Sequence, residues 1–287
     1  MTRHFELQGH RGARGLFPEN TLEGFLATLA LGVHSVELDV AVTADDVAVV
    51  VHDPVLNPDL TRDAGGWLAG QGPAIRSLRW AELAGLDVGR IRPGSPLADR
   101  HPRQQGQDGL RIPMLEAVLR ASNGSGVVFD VELKTLPDRP ELTVAPDAMA
   151  EAVTEAARRA DALDRLVVRS FDWRGLAYLR QAMPAQRLAW LSEAGGTAVA
   201  ERVARASEGC PFQPTWAPRH DAISEGDVQF ARKLGLRVVP WTVNQPADMN
   251  RLIAWGVDGI CTDDPDLGRV AMAKAGLDLP RPWHPTG

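Results

Sequence analysis

The chain has 287 residues, 44 % hydrophobic and 24 % charged, with a formal charge of −6. This is an ordinary globular balance, long enough for one α/β barrel of roughly 250 residues or for two smaller domains. The negative charge excludes a broad nucleic-acid or anionic-membrane surface, which needs clustered Lys and Arg, but it permits a small phosphate substrate held by a local patch or a bound cation.

Short β-rich runs alternate with helical patterns almost throughout, as in repeated βα units on a parallel sheet. In chain order, strands are expected at 5–9, 35–42, 47–52, 126–133, 166–171, 187–191, 237–243 and 259–262, with a weaker ninth at 213–216. Helices are expected at 21–31, 114–121, 146–160 and 247–255, the first capped by Asn20 or Thr21. Eight strands interleaved with helices fit a (β/α)8 TIM barrel occupying 1–287 as a single domain. A doubly wound open sheet is the alternative, but Gly9-His10-Arg11-Gly12 after the first strand is not a dinucleotide-type glycine loop. The stretch 54–111, rich in Gly, Pro, Arg and Asp, breaks the rhythm after the third strand. Long loops inside compact domains are usually functional, so a lid-like insertion over the C-terminal mouth is expected there. The tail, 278–287 with three prolines, reads as a poorly ordered or surface-draped end.

Nothing in the chain resembles a membrane span: the longest aliphatic run, 47–51, is far short of the roughly 20 residues needed. A motif already at position 10 leaves no space for a signal peptide, and Cys210 and Cys261 stand in no metal or redox spacing. A cytoplasmic location, without stable membrane insertion and with free thiols, is expected.

The chemistry-bearing residues gather at the ends of the first four expected strands: His10 and Arg11, then Glu37 and Asp39, then His52 and Asp53, then Glu132 and Lys134. Residues two apart on a strand share a face, so Glu37 joins Asp39, Glu132 joins Lys134, and Asp130 lies one layer deeper. Val36, Leu38 and Val40 embed the first pair in an apolar strand. Inward carboxylates are costly unless they hold a cation or pair with bases. Their hard oxygens suit Mg²⁺ or Ca²⁺, and an internal salt-bridge network with Arg11 and Lys134 is the bland alternative. His10 and His52 are the proton-transfer candidates, Arg11 offers a planar fork for phosphate and Lys134 a point charge. His4, His34, His101, His220 and His284 lie in no such setting.

Gly9-His10-Arg11-Gly12, Pro18-Glu19-Asn20-Thr21, Glu37-Leu38-Asp39-Val40 and Val51-His52-Asp53-Pro54 resemble the glycerophosphodiester phosphodiesterase family. The likeness continues, in family order, through Ile112-Pro113 with Leu115-Glu116, Val131-Glu132-Leu133-Lys134, Ser170-Phe171, Trp241-Thr242-Val243-Asn244 and Asp258-Gly259-Ile260 with Thr262-Asp263. This resemblance implies a TIM barrel that hydrolyses small-molecule glycerophosphodiesters to glycerol 3-phosphate and an alcohol. It implies a divalent cation on Glu37, Asp39 and Glu132 and an acid–base pair in His10 and His52. Arg11 and Lys134 would contact phosphate, and Trp241 would wall the substrate pocket. Asn57-Pro58-Asp59-Leu60-Thr61-Arg62 departs from the family's shorter pattern after His52, which leaves the leaving alcohol open. The competing readings are a lysophospholipase D-type enzyme, with Trp67, Trp80 and Trp216 lining an apolar slot, and a noncatalytic phosphodiester-binding barrel.

Overall fold

The computed structural model describes residues 5–285; His4 and the last two residues of the tail lie outside the described residues. Its strands are β1 (Glu6–Gly9), β2 (Ser35–Val42), β3 (Ala48–Val50), β4 (Arg62–Asp63), β5 (Gly66–Trp67), β6 (Val128–Leu133), β7 (Leu166–Ser170), β8 (Arg187–Ser192), β9 (Thr215–Pro218), β10 (Arg237–Val238) and β11 (Gly259–Thr262). Eight of them run parallel in the order β10-β9-β8-β7-β6-β2-β1-β11. The ring is completed by backbone bonds from Val243 N–H to Cys261 O (2.8 Å), Cys261 N–H to Pro240 O (2.9 Å) and Asp258 N–H to Val238 O (2.8 Å). This is a (β/α)8 barrel, its helices including Leu22–Leu31, Pro146–Arg159, Trp173–Ala182 and Pro265–Lys274.

The expected third barrel strand is not one. The run from Val47 doubles back on β2, pairing antiparallel as Val40 with Val50 and Val42 with Ala48. The reversal comes from local turn chemistry: Thr43 Oγ1 accepts from Val47 N–H at 3.0 Å, and Asp46 takes the left-handed φ of 59°. The place in the ring belongs to β9, the run read as a weaker ninth, and β6 is the third barrel strand. His52 therefore follows a hairpin arm beside β2 and does not end a barrel strand.

The segment between β3 and the helix Leu115–Ala121 has a small core of its own, in which Leu56, Ile75, Leu83 and Ile112 pack on Ala41 and Val49. It is tied to the loops leaving the C-terminal ends of β1 and β11. Gln104 Nε2 donates to Arg14 O (2.8 Å), Gln105 N–H to Leu16 O (2.8 Å) and Arg103 to Asp264 (3.0 Å). The tail is draped over the first helix, with Trp283 N–H donating to Leu29 O at 2.9 Å. Both cysteines are free thiols. Among the described residues no helix is long and apolar enough to cross a membrane.

Candidate active site

The first turn after β1 is built by glycine. A Cβ on Gly9 would lie 2.0 Å from the carbonyl oxygen of Gly12, so only a hydrogen fits where the chain folds back. That fold puts Arg11 in the left-handed region, at φ 51°. Its backbone N–H then donates to Glu37 Oε2 (3.0 Å), while its guanidinium reaches Glu19 (2.9 Å) and Asp39 (3.2 Å). Asn20, also left-handed at φ 54°, sends its amide to Asp39 Oδ2 at 3.0 Å. Thr21, not Asn20, caps the helix, accepting from Gly24 N–H at 3.1 Å. The Pro-Glu-Asn-Thr motif thus serves the site with two residues and the helix with a third.

Register explains the carboxylate cluster. β2 and β6 pair Glu37 with Asp130 and Asp39 with Glu132; the Glu37 side chain joins the upper pair, and Asp130 lies below it. In the upper layer Glu37, Asp39 and Glu132, all buried, offer ligand oxygens within 4.8 Å of one another. Lys134 Nζ lies 2.6 Å from Glu132 and 3.0 Å from Asp39. Burial and the neighbouring Asp39 push the Glu37 carboxyl up to about 8. Asp39 goes the other way, because Lys134 and Arg11 outweigh its burial and hold it well below the usual range. In the lower layer Asp130 receives Gln8 Nε2 (2.9 Å) and the buried Arg169 (3.1 Å).

A hard divalent cation fits the upper layer on two grounds. The donors are three carboxylates with no thiol or imidazole among them. The buried Asp39 Oδ1 makes no hydrogen bond despite the nearby ammonium, so a carboxylate oxygen of the cluster is left for a ligand.

His10 and His52 each have Nδ1 held by a carboxylate. His10 Nδ1 is 2.5 Å from Asp263 Oδ1, leaving Nε2 3.8 Å from Glu37; His52 Nδ1 is 2.7 Å from Asp53. Burial pushes the His10 imidazole down to about 4, against the upward pull of Asp263. Asp263 is also fixed by Arg14 (2.8 Å) and Asn244 (2.7 Å). Sequence reasoning placed Asp263 in a motif but gave it no task, because its partner is 253 positions away. His101, read as bland, lies 9 % exposed beside Arg14 and Asp263.

A cavity of about 210 Å³ brings His10, Arg11, Glu37, His52, Glu132 and Lys134 together, with Trp241 on its wall. Trp241 meets Phe171 edge to face at 5.3 Å and donates its indole N–H to Ala217 O at 2.9 Å. Among the described residues, Trp67, Trp80 and Trp216 do not come together as the apolar slot that the lysophospholipid reading would use. Trp216 is fully buried in the core, Trp80 packs in the small core after β3, and Trp67 lies under Arg62.

A model of the glycerophosphoryl diester phosphodiesterase family matches residues 10–267. The chain belongs to that family. It is, accordingly, a phosphoric diester hydrolase. Glycerophosphodiester phosphodiesterases of Caldanaerobacter subterraneus subsp. tengcongensis and Bacillus subtilis are each 28 % identical to it, over 93 % and 90 % of this chain and 97 % and 83 % of theirs. Among solved structures, a candidate glycerophosphoryl diester phosphodiesterase from Silicibacter pomeroyi DSS-3 superimposes with a TM-score of 0.88 at 35 % identity, covering 96 % of this chain and 95 % of that one. An Oleispira antarctica phosphodiesterase, solved with the product sn-glycerol-3-phosphate, shares the fold with a TM-score of 0.74 at 22 % identity, covering 94 % and 97 %.

Proposed function

We propose that the protein hydrolyses small-molecule glycerophosphodiesters to glycerol 3-phosphate and an alcohol, using His10 and His52 for proton transfer beside a divalent cation, Mg²⁺ or Ca²⁺, on Glu37, Asp39 and Glu132. The observation that carries this is one cavity lined by two imidazoles, four cationic side chains and two of the three clustered carboxylates. When bound, the cation supplies charge neutralisation at the phosphoryl oxygens and acidifies a coordinated hydroxyl.

The chain's own residues do the rest. Asp263 and Asp53 each accept a hydrogen bond from Nδ1–H, which leaves Nε2 of each ring to exchange a proton with substrate. One imidazole takes the proton of the glycerol 2-hydroxyl as that oxygen attacks phosphorus in line. The other gives a proton to the departing alcohol. Water then opens the resulting cyclic phosphate with the two roles reversed. Arg11, locked by Glu19 and Asp39, and Lys134, paired with Glu132, provide fixed positive charge at the edge of the cavity. Trp241 and Phe171 wall the glycerol side, and the segment 54–111 covers the mouth.

The test is release of glycerol 3-phosphate from glycerophosphocholine and glycerophosphoethanolamine by enzyme supplied with Mg²⁺ or Ca²⁺. Release that stops with a chelator supports the reading. Folded, cation-supplied protein that releases none from either would overturn it. A diester of 1,3-propanediol, which lacks the 2-hydroxyl, should stay intact; its hydrolysis would replace the cyclic route by direct attack of water.

A further inference from the structure

Two hollows meet where the phosphodiester must lie. The smaller is the carboxylate cavity already described. The larger, of about 500 Å³, opens between the barrel mouth and the 54–111 segment, with Asn57, Leu60, Leu97, Arg100 and His101 on its walls. Arg11, Arg14 and His52 line both hollows. A phosphodiester held at that shared edge has one alcohol on each side. On the proposed reaction, the glycerol that ends as glycerol 3-phosphate belongs with the carboxylates, so the alcohol that leaves enters the larger hollow.

Three arginines and three carboxylates line that hollow, but they are not equally engaged. Its carboxylates are already engaged: Glu19 by Arg11 (2.9 Å) and Arg14 (3.6 Å), Asp53 by His52 (2.7 Å) and Asn57 (2.7 Å), and Asp263 by His10, Arg14 and Asn244. The donors on the far wall are not. Among the described residues, neither the exposed guanidinium of Arg100 nor the ring of the nearly buried His101 has a hydrogen-bond or ion-pair partner. No Phe, Tyr or Trp lines this hollow. Quaternary ammonium groups are recognised mainly by aromatic faces, so a choline would find positive charge and no cage.

We propose that the larger hollow is a leaving-alcohol subsite selective for alcohols that carry their own anionic group, with Arg100 as the specificity-determining charge and His101 as a ring donor beside it. This assignment rests on the hydrolytic reading above and goes beyond it by naming the substrate class. Arg100 is exposed and outside both hydrophobic cores, so its variants are expected to fold.

The experiment measures kcat/KM, per diester bond, for three substrates with the same reacting diester. Deacylated cardiolipin releases an anionic alcohol, glycerophosphoglycerol a neutral one and glycerophosphocholine a cationic one. Wild-type enzyme should prefer them in that order. An exposed charge pair supports roughly threefold discrimination, so Arg100→Gln should lower the anionic-to-cationic ratio about threefold and Arg100→Glu about tenfold. Raising the salt should compress the wild-type ratio, as screening requires. A wild-type ratio that is flat or favours choline, or one that Arg100→Glu leaves unmoved, would overturn the subsite while leaving hydrolysis intact. No turnover of any of the three would overturn the hydrolytic reading and this assignment with it.

Discussion

Replacing Asp263 with Asn removes the charge that faces His10 Nδ1 at 2.5 Å while keeping the size of the side chain. Asp263 is 1 % exposed, so solvent cannot take over its role. At an effective dielectric of about 20, opposite charges about 4 Å apart attract by about 4 kcal/mol. If half of that stabilises the partly protonated ring in the transition state, its loss raises the barrier by about 2 kcal/mol, or about thirtyfold in rate. The amide adds a second fault: its N–H can donate to Nδ1 and strand the proton on Nε2, the nitrogen left for substrate. A loss in kcat of at least about thirtyfold is therefore expected. Glycerol 3-phosphate release measures it, with near-ultraviolet circular dichroism to confirm the fold. Arg14→Gln is the control, because Arg14 also binds Asp263 (2.8 Å). Asp263→Asn within a few-fold of wild type would refute the argument that this carboxylate positions and polarises His10.

Other consequences are as direct. His10→Ala and His52→Ala should each lose at least about a hundredfold in turnover, the lower range for general acid–base catalysis, and near-wild-type turnover in either would remove that residue from the mechanism. Glu6 is buried, which raises its carboxyl, but Arg237 at 2.5 Å and hydrogen bonds from Ser35 and Gln8 outweigh this and hold it at about 2. A depressed carboxylate stabilises the fold above its unfolded pKa and loses that contribution as pH falls toward 2. Wild type should thus lose up to about 3 kcal/mol from this group between pH 5 and 2, and Glu6→Gln should flatten that limb of a urea-unfolding series. Gly9→Ala places a Cβ 2.0 Å from a backbone oxygen and should cost at least about 2 kcal/mol in the same assay; an unchanged midpoint would contradict the geometry.

How much was readable in the chain depended on where each signal came from. The run at 35–42 is β2 to the residue, because Val36, Leu38, Val40 and Val42 alternate with the other residues at the two-residue period of a strand. Composition misled at Val47, where hairpin arm and barrel strand look alike and only the turn at Thr43–Asp46 decides between them. β9 was faint for the opposite reason: four residues, Thr-Trp-Ala-Pro, carry little periodicity and end in proline. The expected strand 237–243 is a ladder of two residues, since Pro240 has no N–H to donate; single bonds beyond it complete the ring. In the site, parity along β2 and β6 brought Glu37, Asp39 and Glu132 together as spacing suggested. Partners joined only by tertiary closure were invisible: Asp263 meets His10 across the whole chain, and His101 reaches the mouth through the segment after β3.

The most direct measurement is a cation titration of chelator-stripped enzyme, following glycerol 3-phosphate release from glycerophosphoglycerol alongside Asp39→Asn. Stripped wild type should be silent and regain saturable activity with Mg²⁺ or Ca²⁺, while Asp39→Asn should need far more cation or stay silent. Stripped protein that works at full rate, or activity in Asp39→Asn with an unchanged cation requirement, would contradict a hydrolytic site assembled on these three carboxylates.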